Sequence, residues 1–416
     1  MTADAQFSQP APVAAESAAA TGNGQRRRWL KVAMAIAVLL VLAGVGIGSA
    51  WLIQNRTRSQ FLARCEQAKR ESLWADLRVA ADEWSRWDSR DPKPRWLAAE
   101  AAQQQDEFQE LADCLEKIPP SDPNYAFALA EKANLEWTAL NKPLLALQTS
   151  EQAVQMEPRL TDTHSRIISF YAMTGRRIAM LRAIRAALRS GAEPREAYTY
   201  LVMADILSFS NGSELNERWI QSDPDQVQFK ISLAVNTAMQ LAMNQDTSPT
   251  PEIQELNQQA KQQLGFFLQQ YPHDPVLLSY LMHQAYRTGD VQGMSGLLQS
   301  VDDRAAEDHM VWVYRGWYHI QMQEYVEAEK SLQEAIRIHP LSPLAHHEYA
   351  SLLRVQQRPE VTREQQLATY GRDLRSEMLL LPSAVDLTPI LLVKILSYAE
   401  SCGDQQVAAG LAKRLK

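Results

Sequence analysis

Residues 32–53 read VAMAIAVLLVLAGVGIGSAWLI, 22 successive positions without a charged side chain. In helical geometry, at ~1.5 Å per residue, they span about 33 Å, enough to cross the hydrocarbon core of a bilayer. Trp29 and Trp51 stand near the two ends, where aromatic side chains collect at membrane–water boundaries. The pattern predicts a transmembrane helix over residues 29–53. A cleaved signal sequence would use the small residues Gly48, Ser49 and Ala50, but the apolar run outlasts a typical signal core and continues beyond them.

From residue 59 onward, apolar positions fall three and four apart and are broken by turn signals, the mark of amphipathic helices. The clearest stretch, residues 311–340, is VWVYRGWYHIQMQEYVEAEKSLQEAIRIHP. Trp312, Gly316 and Ile320 share one face of a first helix, and Gln323-Glu324 marks a turn. Ala328, Leu332 and Ala335 line a second helix after Tyr325, and Pro340 ends it. Small residues at 316, 328 and 335 let two antiparallel helices approach closely.

The plan recurs. Trp137, Ala146 and Ala153 precede Pro158, with Tyr125 opening that unit. Tyr171, Gly175 and Ala187 follow, and later Pro275 opens a unit with Ala285, Gly289 and Met294. The C-terminal stretch repeats it with Ala399, Gly403, Ala408 and Leu415, and looser units carry Ala68, Ala80 and Pro92, then Ala99, Phe108 and Pro123. Prolines 92, 123, 158, 194 and 224 stand 31, 35, 36 and 30 residues apart, and Pro272 and Pro340 are separated by 68. A fixed period of this size signals stacked supersecondary units.

Trp312, Gly316, Tyr325, Ala328, Ala335 and Pro340 match the aromatic, small and proline positions of the tetratricopeptide repeat, which these units resemble; Arg315 stands where that pattern usually has leucine. The expectation is an all-α chain: an α-solenoid of tetratricopeptide-like helix pairs over residues 59–416, about ten of them, with one N-terminal transmembrane helix. Residues 1–25, almost without large apolar side chains, read as a disordered tail. Residues 206–256 are irregular: 211–224 leave room for only a short helix, and NQDTSPTP (244–251) reads as a polar loop between longer helices at 225–243 and 252–270.

The resemblance also implies a concave groove lined by the first helix of each pair. Carried over, its positions are Val313, Trp317, Ile320 and Gln321 in one unit, Leu135 and Thr138 (with Glu131) in another, and His283 and Tyr286 (with Ser279) in a third. Such a lining implies a protein or peptide partner, extended or helical. The carboxylate-gripping pair of chaperone-type members is absent, because its places hold Cys65/Lys69, Trp96/Glu100, Glu131/Leu135 and Ser165/Ser169.

Charge narrows the partners. The net charge is −7, yet residues 1–58 carry Arg26, Arg27, Arg28, Lys31, Arg56 and Arg58 against Asp4 and Glu16, so the remainder holds 36 basic and 47 acidic residues. A bulk this acidic argues against nucleic acid, which requires a clustered positive face. Basic residues before the span weakly favour a cytoplasmic amino terminus, with the repeats on the other side. Gly44 and Gly48 form a GxxxG pair through which two such helices, in a homo-oligomer, would approach.

No reactive constellation is found. His347-Glu348 begins an HExxH pattern, but Ser351 stands where the second histidine belongs, and His346-His347 reads as a helix-surface pair. Cys65, Cys114 and Cys402 are distant from one another, without metal spacing. In the run 74–96, Trp84 and Trp87 read as packing beside Ala80. The sequence thus points to a non-enzymatic membrane-tethered scaffold or adaptor without metal or cofactor, of the kind that serves envelope assembly or secretion; the alternative is a structural, self-associating membrane component.

Overall fold

A computed structural model describes residues 22–206, 211–244, 250–303 and 305–415; most of the expected tail and of the 244–251 loop lies outside them. Among the described residues the chain is all-helical, without a strand. It divides into two compact units, residues 1–97 and 98–416.

The first unit contains α1 (Gly22–Arg70) and α2 (Trp74–Trp87). α1 carries the apolar run as one continuous helix, long and apolar enough to cross a membrane, and no part of that window is buried against the chain. Gly44 and Gly48 lie on its open surface, with nothing within 4 Å of where a Cβ would stand. Beyond the run, α1 packs on α2: Phe61 stacks on Trp84 at 6.3 Å and tilts against Trp87 at 5.7 Å. Leu77, Ala80, Ala81 and Trp84 form the buried face of α2, while Trp87 is partly exposed.

In the second unit, helices run in consecutive antiparallel pairs: α5 (Tyr125–Thr138) with α6 (Pro143–Met156), α7 (Thr161–Met173) with α8 (Arg177–Ser190), and α11 (Val227–Asn244) with α12 (Pro251–Gln270). Then come α13 (Pro275–Thr288) with α14 (Val291–Gln299), α15 (His309–Gln321) with α16 (Tyr325–Ile338), α17 (Pro343–Val355) with α18 (Val361–Met378), and α19 (Pro389–Cys402) with α20 (Gln405–Arg414). α3 (Lys93–Gln104), which straddles the unit boundary, leads by a tight turn into α4 (Phe108–Glu116). The six-residue α9 (Ala197–Val202) and α10 (Gly212–Ser222) occupy the irregular stretch.

One turn closes most of these hairpins. Ser72, Asp106, Gly175, Gly289, Gln323, Gln357 and Gly403 all have left-handed backbone with φ between 55° and 76°. Each gives its N–H to the carbonyl three residues back, and the next residue gives its N–H to the carbonyl five before itself, as in Gln323→Ile320 and Glu324→His319. This paired arrangement is the Schellman motif, which satisfies carbonyls that a helix end would otherwise leave bare. The turn at Asn141 is a variant, with Lys142 N–H reaching back to Glu136. The left-handed residues 72, 106, 141 and 175 stand 34, 35 and 34 apart, and 289, 323 and 357 stand 34 apart. The sequence period is therefore a period of backbone geometry.

Small side chains set the helix spacing. Ala146, Ala153, Ala187, Ala328 and Ala335 are fully buried, and Met294 fills the α13–α14 hairpin. A Cβ on Gly316 would stand 2.5 Å from Leu332 Cγ on the facing helix. Trp312 is half-buried and gives its Nε1–H to Ala306 O at 2.6 Å, with the Arg315 guanidinium 4.4 Å above its ring. That cation–π contact occupies Arg315, the residue that departs from the repeat pattern. Pro158 and Pro340, between successive hairpins, present their carbonyls to His164 Nε2 and His346 Nε2 at 3.0 and 2.9 Å. His346 is buried, with Nδ1 2.6 Å from Glu364, and is not the surface residue its sequence position implies.

A non-glycine residue in the left-handed region carries strain that glycine avoids. Gln323→Gly is expected to raise the stability of the full chain by about 0.5–1 kcal/mol and Gly403→Ala to lower it by a similar amount. Denaturant titration of the two variants in detergent checks these opposite signs.

Candidate functional site

The groove positions carried over from the repeat resemblance do not assemble into one open surface. Val313, Leu135 and Trp317 are buried. Trp317 is covered by the Tyr286 ring at 5.5 Å, edge to face. Ile320 is half-buried against Ala328, Leu332 and Leu352, whereas Gln321 and Thr138 are exposed, Thr138 giving its hydroxyl hydrogen to Asn134 O. α5 packs mainly on α4, α6 and α7, and α15 on α13, α14, α16 and α17, which keeps Leu135 and Thr138 apart from the 313–321 set. Val313 and Trp317 pack into the core formed with α13, α14, α16 and α17, and Leu135 is buried on α5, so none of the three faces an open groove. His283 and Tyr286, both half-buried, remain beside accessible space.

Residues 177–206 and the C-terminal hairpins share one core. Ile184, Tyr198, Leu201 and Trp219 cluster with Leu341, Leu374, Ile395, Tyr398 and Leu411. Every residue of α9 is buried. In a simple stack each hairpin meets only its neighbours; here Arg185 on α8 grips Asp404 at the start of α20 with both terminal nitrogens, and Gln406 Nε2 donates to Arg185 O at 2.8 Å.

A buried polar hub fixes this closure. Asp205, just after α9, accepts from His309 Nε2 at 2.9 Å, from the Ser342 hydroxyl at 2.9 and 3.1 Å, and from Leu344 N–H at 3.2 Å. Arg177 donates to Ala204 O at 2.5 Å, to Ser279 Oγ at 2.8 Å and to Asp308 Oδ2 at 2.6 Å. Asp308 and Ser342 also cap α15 and α17, receiving Met310 N–H and Ala345 N–H. His339 lies against His309 at 4.7 Å between ring centroids and donates to Leu201 O. Burial opposes ionisation of Asp205, but the His309 hydrogen bond and charge, the His339 charge and the Leu344 N–H together hold its carboxyl well below the usual carboxylate range. Although serine, histidine and aspartate meet here, both His309 and Ser342 donate to the carboxylate, so no imidazole is placed to activate the hydroxyl. The hub's chemistry is that of a fastener.

Beside it opens a cleft of about 230 Å³ lined by Tyr286, Pro343, Leu344, His347, Ala368, Arg372 and Arg375. Its walls are the elements the hub positions: α13 through Arg177–Ser279, α17 through Asp205–Ser342 and Asp205–Leu344, and α18 beyond. Arg372 and Arg375 are one turn apart on α18, and His347 faces them from α17. The Tyr286 hydroxyl donates to Glu348 at 2.6 Å, and burial raises the Glu348 carboxyl while that hydrogen bond opposes the rise. Arg372 and Arg375 make the lining cationic; nearby, His283 is pushed down to about 4, first by burial and then by Arg287, Arg177 and Arg375, with Asp205 opposing. An accessible aromatic ring among cations, on a chain acidic overall, suits a ligand that brings carboxylates and an apolar side chain. Among the described residues no three histidine, cysteine, aspartate or glutamate side chains converge as a metal site.

Of the groove candidates only Tyr286 lines this cleft. Reading the sequence missed His347, Arg372 and Arg375. His347 was visible as a failed metal motif and as half of a helix-surface histidine pair, and the i, i+3 arginine pair is on a second helix of its hairpin, a side that the repeat template does not assign to ligand.

No family model matches the chain, and no curated protein matches it. Solved structures align over most of its length at low identity. The Cut9–Hcn1 hetero-tetramer of APC/C is 10% identical, with 85% of this chain and 86% of that chain covered and a TM-score of 0.31. Yeast Tom70 is 13% identical over 86% and 88%, with a TM-score of 0.25. An IFIT1 monomeric mutant with Gppp-AAAA is 14% identical over 82% and 79%, with a TM-score of 0.31. Superpositions this loose carry no argument, and the fold stands on the chain's own turns and packing.

Half-buried His283 and buried His339 give the unit a pH dependence. His283 and His339 both titrate below the ordinary histidine value, burial being the main cause. Below about pH 6.5 the unfolded chain therefore binds protons that the folded chain refuses. Their contribution is complete above that pH and is lost as pH falls toward the folded values, at up to about 1.4 kcal/mol per pH unit for each histidine. Unfolding of the full chain at pH 7, 6 and 5 is expected to show a midpoint that drops below pH 6.5, and His283→Gln is expected to flatten the drop.

Proposed function

We propose that the chain is a non-enzymatic, membrane-tethered helical-repeat scaffold whose second unit binds an acidic segment of a protein or peptide partner. The observation that carries the reading is the cleft of Tyr286, His347, Arg372 and Arg375, a cationic, partly aromatic recess between α13 and the α17–α18 hairpin. Carboxylates of the partner pair with the guanidinium groups, and an apolar side chain lies against Tyr286.

Tethering is supported by α1. A helix with this much exposed apolar surface, including Trp29, Leu40, Ile47 and Ile53 at 67–71% exposure, is costly in water at ~25 cal/mol per Å² and favourable in lipid. The single-pass arrangement has the amino terminus cytoplasmic and the repeats on the opposite side, where the partner segment is met.

Cross-linking of the full chain in native membranes, followed by identification of the attached protein, tests the reading. Replacing Arg372 and Arg375 together by glutamate is expected to weaken capture of the partner at least about tenfold, two lost charge-assisted contacts being ample for that, while leaving the chain folded and membrane-bound. Undiminished capture by the double variant contradicts the assignment of the cleft.

A further inference from the structure

The first unit contains a second recess, unrelated to the partner cleft. About 410 Å³ in volume, it lies between α1 at Trp51, Gln54, Asn55 and Arg58 and the connection after α2 at Asp88, Arg90, Asp91 and Pro92. The four α1 residues fall at i, i+3, i+4 and i+7 and so share one face. They begin where the charge-free run ends: Arg58 is five residues beyond Ile53, about 7.5 Å along the helix. That rise matches the polar layer on each side of a bilayer, ~5–7 Å from the core and headgroup thicknesses. If α1 crosses the membrane, the recess opens at the level of the phosphates.

Its chemistry is two-signed. Arg58 uses Nε–H on Asp91 Oδ2 at 2.8 Å, and its side chain stays about half exposed. Asp91 is otherwise committed, its Oδ1 receiving Lys93 N–H at 3.1 Å. The Arg90 side chain is exposed, and among the described residues its guanidinium has no partner. Asp88, which also lines the recess, takes Arg90 N–H on Oδ1 at 3.1 Å, a bond that occupies one of its two carboxylate oxygens. Trp51 supplies an indole at the apolar edge, where interfacial aromatics settle. Two guanidinium groups, one half-free carboxylate and an aromatic rim form a poor site for a purely anionic headgroup, because Asp88 and Asp91 offset the arginines.

We infer that the recess between α1 and the α2–α3 connection is a binding site for a phospholipid whose headgroup joins a phosphodiester to a primary ammonium. The phosphate pairs with the terminal nitrogens of Arg58 and with Arg90, the ammonium donates to Asp88, and the glycerol backbone lies along Trp51. A quaternary ammonium has no N–H for Asp88, and a glycerol headgroup has no positive charge for it. The inference rests on the membrane reading of α1, and on nothing in the second unit.

The test uses the full chain in nanodiscs that contain equal amounts of ethanolamine, choline and glycerol phospholipids with the same acyl chains, with retained lipid counted by native mass spectrometry after detergent release. The expected result is retention of the ethanolamine lipid over the other two by about tenfold, the worth of one or two charge-assisted hydrogen bonds. Arg90→Gln and Asp88→Asn are expected to abolish the preference; both are conservative in shape, and asparagine keeps the oxygen that receives Arg90 N–H. Equal retention of the three lipids, preference for glycerol or choline, or preference unchanged in both variants overturns the inference while leaving the anchor intact. Recovery of the chain outside the nanodiscs overturns the anchor and the site together.

Discussion

A carboxylate taken out of water must be met by donors from its own chain, and Asp205 is met by donors from two helix starts 104 and 137 residues away. The uncompensated cost of such a buried charge is several kcal/mol, a large share of the stability of an ordinary domain. The donors are therefore not interchangeable decorations. They fix where α15 and α17 begin relative to α9, and Arg177 does the same for α13 through Ser279. An array of hairpins held only by nearest-neighbour contacts has no need for this; a unit whose C-terminal hairpins return to its middle does.

Closure changes what the array offers a partner. Apolar residues within 168–229 and 341–411 share one core, and one recess beside it is small, cationic and aromatic. Two of its three walls, α13 and α17, are tied to the hub, and the third, α18, packs on α17, so buried hydrogen bonds help to set its dimensions. The first unit has a different character: one long helix with an exposed apolar stretch, locked to α2 by Phe61, Trp84 and Trp87, and a mixed-charge recess where the apolar stretch stops.

The local plan of the fold was legible in the sequence because it repeats and because several turns use residues whose conformation is tied to their identity. Gly175, Gly289 and Gly403 mark left-handed positions directly. Ser72, Asp106 and Gln357 adopt the same geometry without announcing it, and only the 34-residue spacing finds them. Small residues at Gly316, Ala328 and Ala335 were readable for the same reason: their spacing matches a helix crossing. The closure was not. Asp205 is embedded in the plain stretch LVMADIL, and nothing near it in sequence identifies partners more than a hundred residues on. Val313, Leu135 and Trp317 are buried where the repeat template gives only a helix register, which does not say what packs over each position, and the buried His346 was misread because its partner Glu364 belongs to the next helix.

Hydrogen exchange on the full chain, with and without Asp205→Asn, tests the closure most directly. If the hub fastens the C-terminal hairpins to the middle of the unit, the substitution lowers amide protection together in residues 164–206 and 339–411, while α5 and α6 keep theirs. Loss confined to the neighbourhood of α9, with residues 339–411 as protected as before, would contradict the account.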